Sequence, residues 1–246
     1  KEDLVVFFRP NRPQKRLLAN LWHRNVILKA RQLGFTTLVC ILWLDTALFN
    51  ENMRCGIIAQ DRDAAEVIFR DKVKFAYINL PESLRNQMPL ARDSASELLF
   101  GHNNSSIRVA TSMRSGTIHR LHISEFGKIC AKYPDKAKEV VTGSIPAVPQ
   151  TGILIIESTA EGREGEFHSI TMRAKAAKDS NKELTVRDYR FHFFAWWDEE
   201  RYCMPVDSVK LTDKDLAYFE RIEAQIGQTI SPEKRAWYVA TRDADF

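Results

Sequence analysis

Lys29-Ala30-Arg31-Gln32-Leu33-Gly34-Phe35-Thr36-Thr37 is the stretch on which the reading of this chain turns. An apolar run, Val26-Ile27-Leu28, precedes it, and an apolar-periodic segment with helical spacing follows from Leu38 to Phe49. Strand, turn, then helix is the context that a phosphate-binding loop requires. The loop amides and the helix N-terminus cradle a polyphosphate, and a threonine hydroxyl reaches Mg2+. Gly34 and Thr36 fall where that pattern wants them, whereas Phe35 stands where its lysine belongs. Lys29, at the end of the strand, offers a replacement whose ammonium can curl inward to the β- and γ-phosphates. From these residues alone, a plain strand-to-helix turn with a surface lysine explains the pattern equally well.

Outward from the loop, helical and extended patterns alternate. Leu4-Val5-Val6-Phe7-Phe8 is cut off by the prolines of Arg9-Pro10-Asn11-Arg12-Pro13, and Gln14 to Trp22 reads as a short amphipathic helix. Asn25 to Leu28 and Cys55 to Gln60 read as core strands. Asp61 and Asp63 are placed to cap a helix that runs to about Ile78. Pro81 to Asp93 reads as a loop with one helical turn. Glu97 to Phe100 and Ser106 to Thr111 flank Gly101-His102-Asn103-Asn104, a hairpin signature. Ile118 to Ser124, Gly152 to Ile156 and Arg187 to Trp196 are further strands, the second nearly continuous in apolar residues as buried parallel strands are. Phe167 to Lys178, Leu211 to Ile226 and Ser231 to Thr241 read as helices, the last opened by Ser231-Pro232-Glu233. The alternation predicts an α/β fold with a mainly parallel sheet covered on both faces. The core would occupy residues 1–200 and a small helical subdomain residues 201–246.

The 246 residues are enough for one such domain, and 44% hydrophobic with 28% charged residues is an ordinary globular balance. A formal charge of +4 permits contact with nucleic acid without demanding it. Cys40, Cys55, Cys130 and Cys203 are widely separated and form no CxxC pair, so they read as reduced thiols and not as a zinc site. No apolar run is long enough to span a bilayer. Lys1-Glu2-Asp3 lacks a signal-peptide pattern and no methionine precedes it, as expected of a trimmed fragment.

Two more constellations carry chemistry. Leu121-His122-Ile123-Ser124-Glu125 ends a core strand in an acid, which can polarise a water as general base. Ile155-Ile156-Glu157-Ser158-Thr159-Ala160-Glu161-Gly162 delivers two hydroxyls and a glycine at a strand end, as suits a γ-phosphate sensor. Singly, each is also an ordinary strand exit. Together and in this order, loop, strand with glutamate, strand with Ser-Thr is the layout of an ATPase with a catalytic glutamate.

With these motifs the chain resembles the N-terminal ATPase domain of the large terminase subunit, the DNA-packaging motor of tailed phages. Arg31 to Thr37, Ile123-Ser124-Glu125-Phe126-Gly127, Glu157 to Gly162 and Phe193-Phe194-Ala195-Trp196-Trp197-Asp198 carry the likeness, which spans nearly the whole chain. The resemblance implies a P-loop NTPase of the catalytic-glutamate, RecA-like type that uses ATP and Mg2+. It implies that Gln14 recognises adenine, with Arg12 beside it, and that Lys29 is the lysine of a deviant loop that carries it first. Arg31 senses nucleotide, Thr36 binds the metal, and Ala30, Gln32, Leu33, Gly34, Phe35 and Thr37 line the nucleotide. Glu125 is the catalytic glutamate, while Ser158 and Thr159 belong to the motif that couples hydrolysis to movement. Arg114, in Ser112-Met113-Arg114-Ser115-Gly116-Thr117, matches an arginine that completes a neighbouring subunit's site, which requires a homo-oligomeric ring in action, the isolated chain being monomeric.

Two positions depart from the family pattern. Ser124 stands in place of the metal-holding aspartate, leaving Mg2+ to Thr36 and to contact through water at Ser124. Glu161 stands in the coupling motif where asparagine or a proline-rich sequence is frequent. The implied partners are double-stranded DNA, a portal protein and a small terminase subunit, in the cytoplasm of an infected bacterium and without a membrane. The family's nuclease domain has no counterpart in the acidic residues near Asp243-Ala244-Asp245-Phe246. A helicase-like ATPase of another P-loop branch is the competing enzyme reading, and a non-hydrolytic DNA- or protein-binding module on a degenerate P-loop fold is the competing non-enzyme one. Arg163, Arg173, Lys175 and Lys178 read as a solvated basic face, His119 and His122 have no metal-ligand spacing, and Trp196-Trp197 reads as the edge of a core.

Overall fold

Strands covered on both faces must be apolar on both, and Val26, Ile27, Ile57, Ile58, Leu154, Ile155 and Ile156 are all fully buried. They lie at the centre of an eight-stranded sheet in the computed structural model, which describes residues 6–114 and 116–245. The readings that fall on Leu4, Val5, Ser115 and Phe246 lie outside it. The strands are β1 (Arg24–Lys29), β2 (Arg54–Ile58), β3 (Leu90–Asp93), β4 (Glu97–Phe100), β5 (Ser106–Ala110), β6 (Arg120–Ser124), β7 (Ile153–Ser158) and β8 (Arg190–Phe194). Their order across the sheet is β3-β4-β5-β2-β6-β7-β1-β8. From β5 to β8 all neighbours run parallel, while the β3–β4 and β4–β5 pairs are antiparallel. The expected hairpin is the β4–β5 pair, and it places an antiparallel edge on a parallel sheet.

The helices are α1 (Arg12–Ala19), α2 (Phe35–Phe49), α3 (Arg62–Ile68), α4 (Phe75–Ile78), α5 (Glu82–Gln87), α6 (Phe126–Lys132), α7 (Pro134–Glu139), α8 (Gly165–Asp179), α9 (Asp213–Ile226) and α10 (Pro232–Asp245). The single helix expected from Asp61 to Ile78 is instead α3 and α4 joined by π-helical turns at Phe69–Lys74. Asp61 caps α3 through the amide of Ala64. Pro81 to Asp93 holds the short α5 and the edge strand β3.

Side chains alternate across the strands, so each strand feeds two cores. Ile27, Ile57 and Ile155 pack with α2 residues Leu38, Val39 and Trp43 on one face. Val26, Ile58, Ile123 and Ile156 pack with Phe126, Ile129, Phe167 and Ile170 of α6 and α8 on the other. Residues 1–194 form one compact unit and residues 195–246 a second. The second has its own small core, with Phe219, Ile230 and Val239 buried. Trp196 stacks on Tyr238 there, with ring centroids 4.8 Å apart. Helix α9 starts on a capping box between Thr212 and Asp215 and stops at Gly227 in the left-handed conformation. Among the described residues no helix is long and apolar enough to cross a membrane.

Candidate nucleotide site

The site forms where β1 ends and α2 begins. Gln32 and Gly34 both adopt left-handed backbone, at φ 54° and 74°, to turn the chain from strand into helix. The φ of Gly34 is what favours glycine there, and a Cβ would also stand 2.8 Å from Gln14 Nε2 and push that amide off the loop. Helix α2 starts at Gly34 with no side-chain cap, which leaves its first amides and the positive end of its dipole for an anion. Asn11 and Gln14 of the α1 cap hold the loop from outside. Asn11 Nδ2 donates to Leu33 O at 3.1 Å and Gln14 Nε2 to Gly34 O at 2.8 Å. Gln14 is buried, and its Oε1 accepts from the Asn11 amide at 2.9 Å. Here Gln14 is a brace for the loop.

Phe35 explains its own presence. It is the first residue of α2, it is only 1% exposed, and its ring lies 4.6 Å from that of Phe194. A lysine at this position would bury an ammonium in the core. The charge stands instead on Lys29, which is itself buried at the end of β1. Lys29 Nζ lies 3.0 Å from Glu125 Oε1 and 3.0 Å from Glu157 Oε2. Burial alone would lower the Lys29 pKa, but the two carboxylates outweigh it and raise the value above the ordinary one.

Glu157 is the residue that sequence reasoning missed as a site member. It sits in an apolar strand, Ile153-Leu154-Ile155-Ile156-Glu157, where its charge read only as the strand's exit. Register shows otherwise. In the sheet β7 lies between β1 and β6, and Glu157 is level with Ile27 on one side and Ser124 on the other. Its side chain thus shares a face with those of Lys29, Ser124 and His122. Glu157 Oε1 accepts from Thr36 Oγ1 at 3.0 Å and from Ser124 Oγ at 3.0 Å, with His122 Nε2 at 3.4 Å. Thr36 Oγ1 and Ser124 Oγ are 3.5 Å apart. Burial pushes the Glu157 carboxyl up, yet Lys29 and His122 hold it well below the usual carboxylate range.

Glu125 opens α6 with a left-handed backbone, φ 52°, which is strained for a residue with a Cβ. Such strain concentrates at functional sites. Its Oε2 is buried without a hydrogen bond, 4.0 Å from Lys128 Nζ.

The structure therefore gathers Lys29, Thr36, Ser124 and Glu125 around Glu157. It places the other expected residues differently. Arg31 and Gln32 lie exposed on the loop, Arg12 is exposed on α1, and Ala30 joins β1 to β8 through its amide and Phe194 O at 2.8 Å. Leu33 is fully buried. Thr37 is half-buried in the first turn of α2. Ser158 points to the opposite sheet face, where its Oγ lies 2.7 Å from the place a Cβ on Gly127 would take. Thr159 Oγ1 donates to Glu161 Oε1 at 3.3 Å, so Glu161 holds the segment that follows β7 locally. Arg114 forms an ion pair with Glu139 of α7.

The residues present fit a magnesium nucleotide. Two hydroxyls and two carboxylates converge, and one oxygen of each carboxylate has no hydrogen bond. Among the described residues no three His, Cys, Asp or Glu side chains form a closed metal cage.

No family model matches the sequence, and no curated protein does. The ATPase domain of the Thermus phage P74-26 large terminase is similar in structure, with a TM-score of 0.55 and 18% identity over 78% of this chain and 83% of that one. The chain has the fold of a terminase ATPase domain. An arginine-to-alanine variant of the same phage domain gives a TM-score of 0.54 and 17% identity over the same shares of the two chains. At such identity the terminase fold is what the comparison establishes. The mostly parallel eight-stranded sheet with helices is the α/β architecture that the alternation of strands and helices predicts.

Proposed function

We propose that this chain hydrolyses ATP and is the motor of a viral DNA-packaging machine. What supports the reading is the meeting of the buried Lys29 ammonium with Glu125 in front of the uncapped N-terminus of α2. The terminase fold sets the context, and residues 29–37, Glu125 and Ser158–Thr159 lie at the ends of the neighbouring strands β1, β6 and β7.

In this reading, an incoming triphosphate competes with Glu125 and Glu157 for Lys29. The lysine turns to the phosphate oxygens and offsets their charge, and the amides of the loop and of α2 bind those oxygens. Release from Lys29 leaves Glu125 a free carboxylate. It takes a proton from the attacking water as the bond from water oxygen to the γ-phosphorus forms and the bond to the ADP oxygen breaks. Thr36 and Ser124 are the hydroxyls that would hold magnesium, and the ion would supply positive charge against the charge that develops on the phosphates. Arg31 contacts phosphate from the exposed side of the loop. Gln14, with both ends of its amide engaged, acts by fixing the loop. Thr159 and Glu161 pass the loss of the γ-phosphate to the next segment. Arg114 would leave Glu139 and reach the nucleotide of the next subunit in a ring around double-stranded DNA, docked on a portal and fed by a small terminase subunit. Arg163 and Arg173 are exposed, whereas Lys175 is paired with Asp179, so the basic face of α8 offers only part of its charge to a DNA backbone.

Glu125→Ala is expected to abolish phosphate release, by at least about a hundredfold, while a fluorescent ATP analogue still binds. Turnover at the unaltered rate in that variant overturns the assignment. Absence of nucleotide binding by the unaltered chain favours the degenerate, non-hydrolytic module.

A further inference from the structure

The unexplained feature of the site is a charge in the wrong strand. Position 124, at the end of β6, offers only a neutral hydroxyl, while a carboxylate that is 0% exposed stands next to it at the end of β7. A buried carboxylate is costly to desolvate, and a sheet interior does not carry one without a compensating contact. Lys29 compensates the charge. It does not explain why Glu157 also collects two hydroxyl protons.

Three observations do. First, Thr36 spends its one hydroxyl proton on Glu157 Oε1, so its oxygen lone pairs remain for a cation. Second, Ser124 donates to the same oxygen at 3.0 Å, so the residue that replaces the acid orients the acid next door. Third, Glu157 Oε2 is buried and has no hydrogen bond, with the Lys29 ammonium in ion-pair contact at 3.0 Å. Neighbouring strands lie about 4.8 Å apart, and glutamate is one methylene longer than aspartate. A glutamate on β7 can therefore bring its carboxylate to the ground in front of β6 and α2. Ser124 and Glu157 exchange what one aspartate would supply.

We propose that Glu157 is the acidic residue of the magnesium site, displaced by one strand from β6 to β7, and that it shares the site with the Thr36 and Ser124 hydroxyls that donate to it. This rests on the nucleotide-binding reading above and adds a metal-holding role to a residue that the motif order leaves unassigned. The alternative role is that of a structural counter-ion for Lys29 alone.

The test separates the two by metal binding. Mn2+ replaces Mg2+, and its affinity for the complex of the whole chain with a non-hydrolysable ATP analogue is read by electron paramagnetic resonance. Nucleotide affinity in EDTA is measured beside it. Glu157→Gln keeps the shape and the hydrogen bonds and removes the charge. It is expected to weaken Mn2+ binding roughly tenfold or more, with nucleotide affinity in EDTA retained. The double variant S124D/E157Q returns a carboxylate to β6 beside Lys29, and circular dichroism checks that both variants are folded. It is expected to recover most of the Mn2+ affinity. Full Mn2+ affinity in folded Glu157→Gln, or a folded double variant no better than an unfolded or weakened single one, overturns this proposal and leaves the ATPase reading standing. Failure of the unaltered chain to bind nucleotide in EDTA overturns both.

Discussion

Lys29 is charged inside the protein because two carboxylates hold it there. Removing one partner of a buried ion pair costs about 3–5 kcal/mol, since the other is left uncompensated. Lys29→Ala is therefore expected to lose both stability to urea and affinity for a fluorescent nucleotide. Adding Glu157→Gln to that variant should return most of the stability and none of the affinity. His192 gives a pH dependence of a different origin. It is buried and neutral, with Nε2 3.0 Å from Asn25 Oδ1. Burial, and then the charges of Arg190, Lys178 and Arg16, depress its pKa from 6.5 to about 4. The folded chain thus resists a proton that the unfolded chain accepts. This part of the stability is complete above pH 6.5 and is lost as pH falls toward 4, amounting to about 3 kcal/mol. His192→Gln should flatten the fall between urea midpoints at pH 7.5 and 4.5. At this scale the sequence was legible where a residue announces itself by type. Lys29, Thr36 and Glu125 did so. Glu157 did not, because a charge in an apolar strand acquires its meaning only from the residues level with it on β1 and β6. Phe35 misled for the converse reason, since a core anchor and a missing lysine look the same in one dimension.

Among the elements, the loop and its helix were readable because glycine punctuation separates two apolar periods there. The β4–β5 hairpin was readable from Gly101-His102-Asn103-Asn104, whose Asn103 side chain ties the turn to Ala47 and Leu48 carbonyls. Strand β3 was not, because three of its four residues are exposed and it lies at the sheet edge without alternation to reveal it. Helices α6 and α7 were not, because Pro134 divides a short stretch into pieces too brief for a helical period. The π-helical turns at Phe69–Lys74 and Val140–Ser144 arise from packing and have no sequence mark. The placement of β7 between β1 and β6 is the element-level fact with most chemical effect. It puts one strand's side chains within reach of both the loop and Glu125.

For the molecule as a whole, the proposal that Arg114 completes a neighbouring subunit's site makes this residue the test of whether the chain works alone. Its pairing with Glu139 is at the surface, where an ion pair contributes little, so exchanging that partner for a neighbour's phosphates meets slight resistance. Arg114→Ala is expected to leave nucleotide affinity unchanged and to remove the rise of specific ATPase rate with protein concentration. A rate that climbs as before would show that no arginine acts between subunits at this position. The two loop carbonyls held by Asn11 and Gln14 have a further outcome. They make α1 a gauge of occupancy, because whatever stiffens the loop from the phosphate side also stiffens its far anchor. Amide hydrogen exchange across Gln14–Leu17 should slow when a nucleotide analogue binds, although no atom of the analogue's phosphates touches that helix. An unchanged exchange rate there would mean that loop and helix move independently. A slowed rate would make α1 the protein's own indicator of whether its loop is filled.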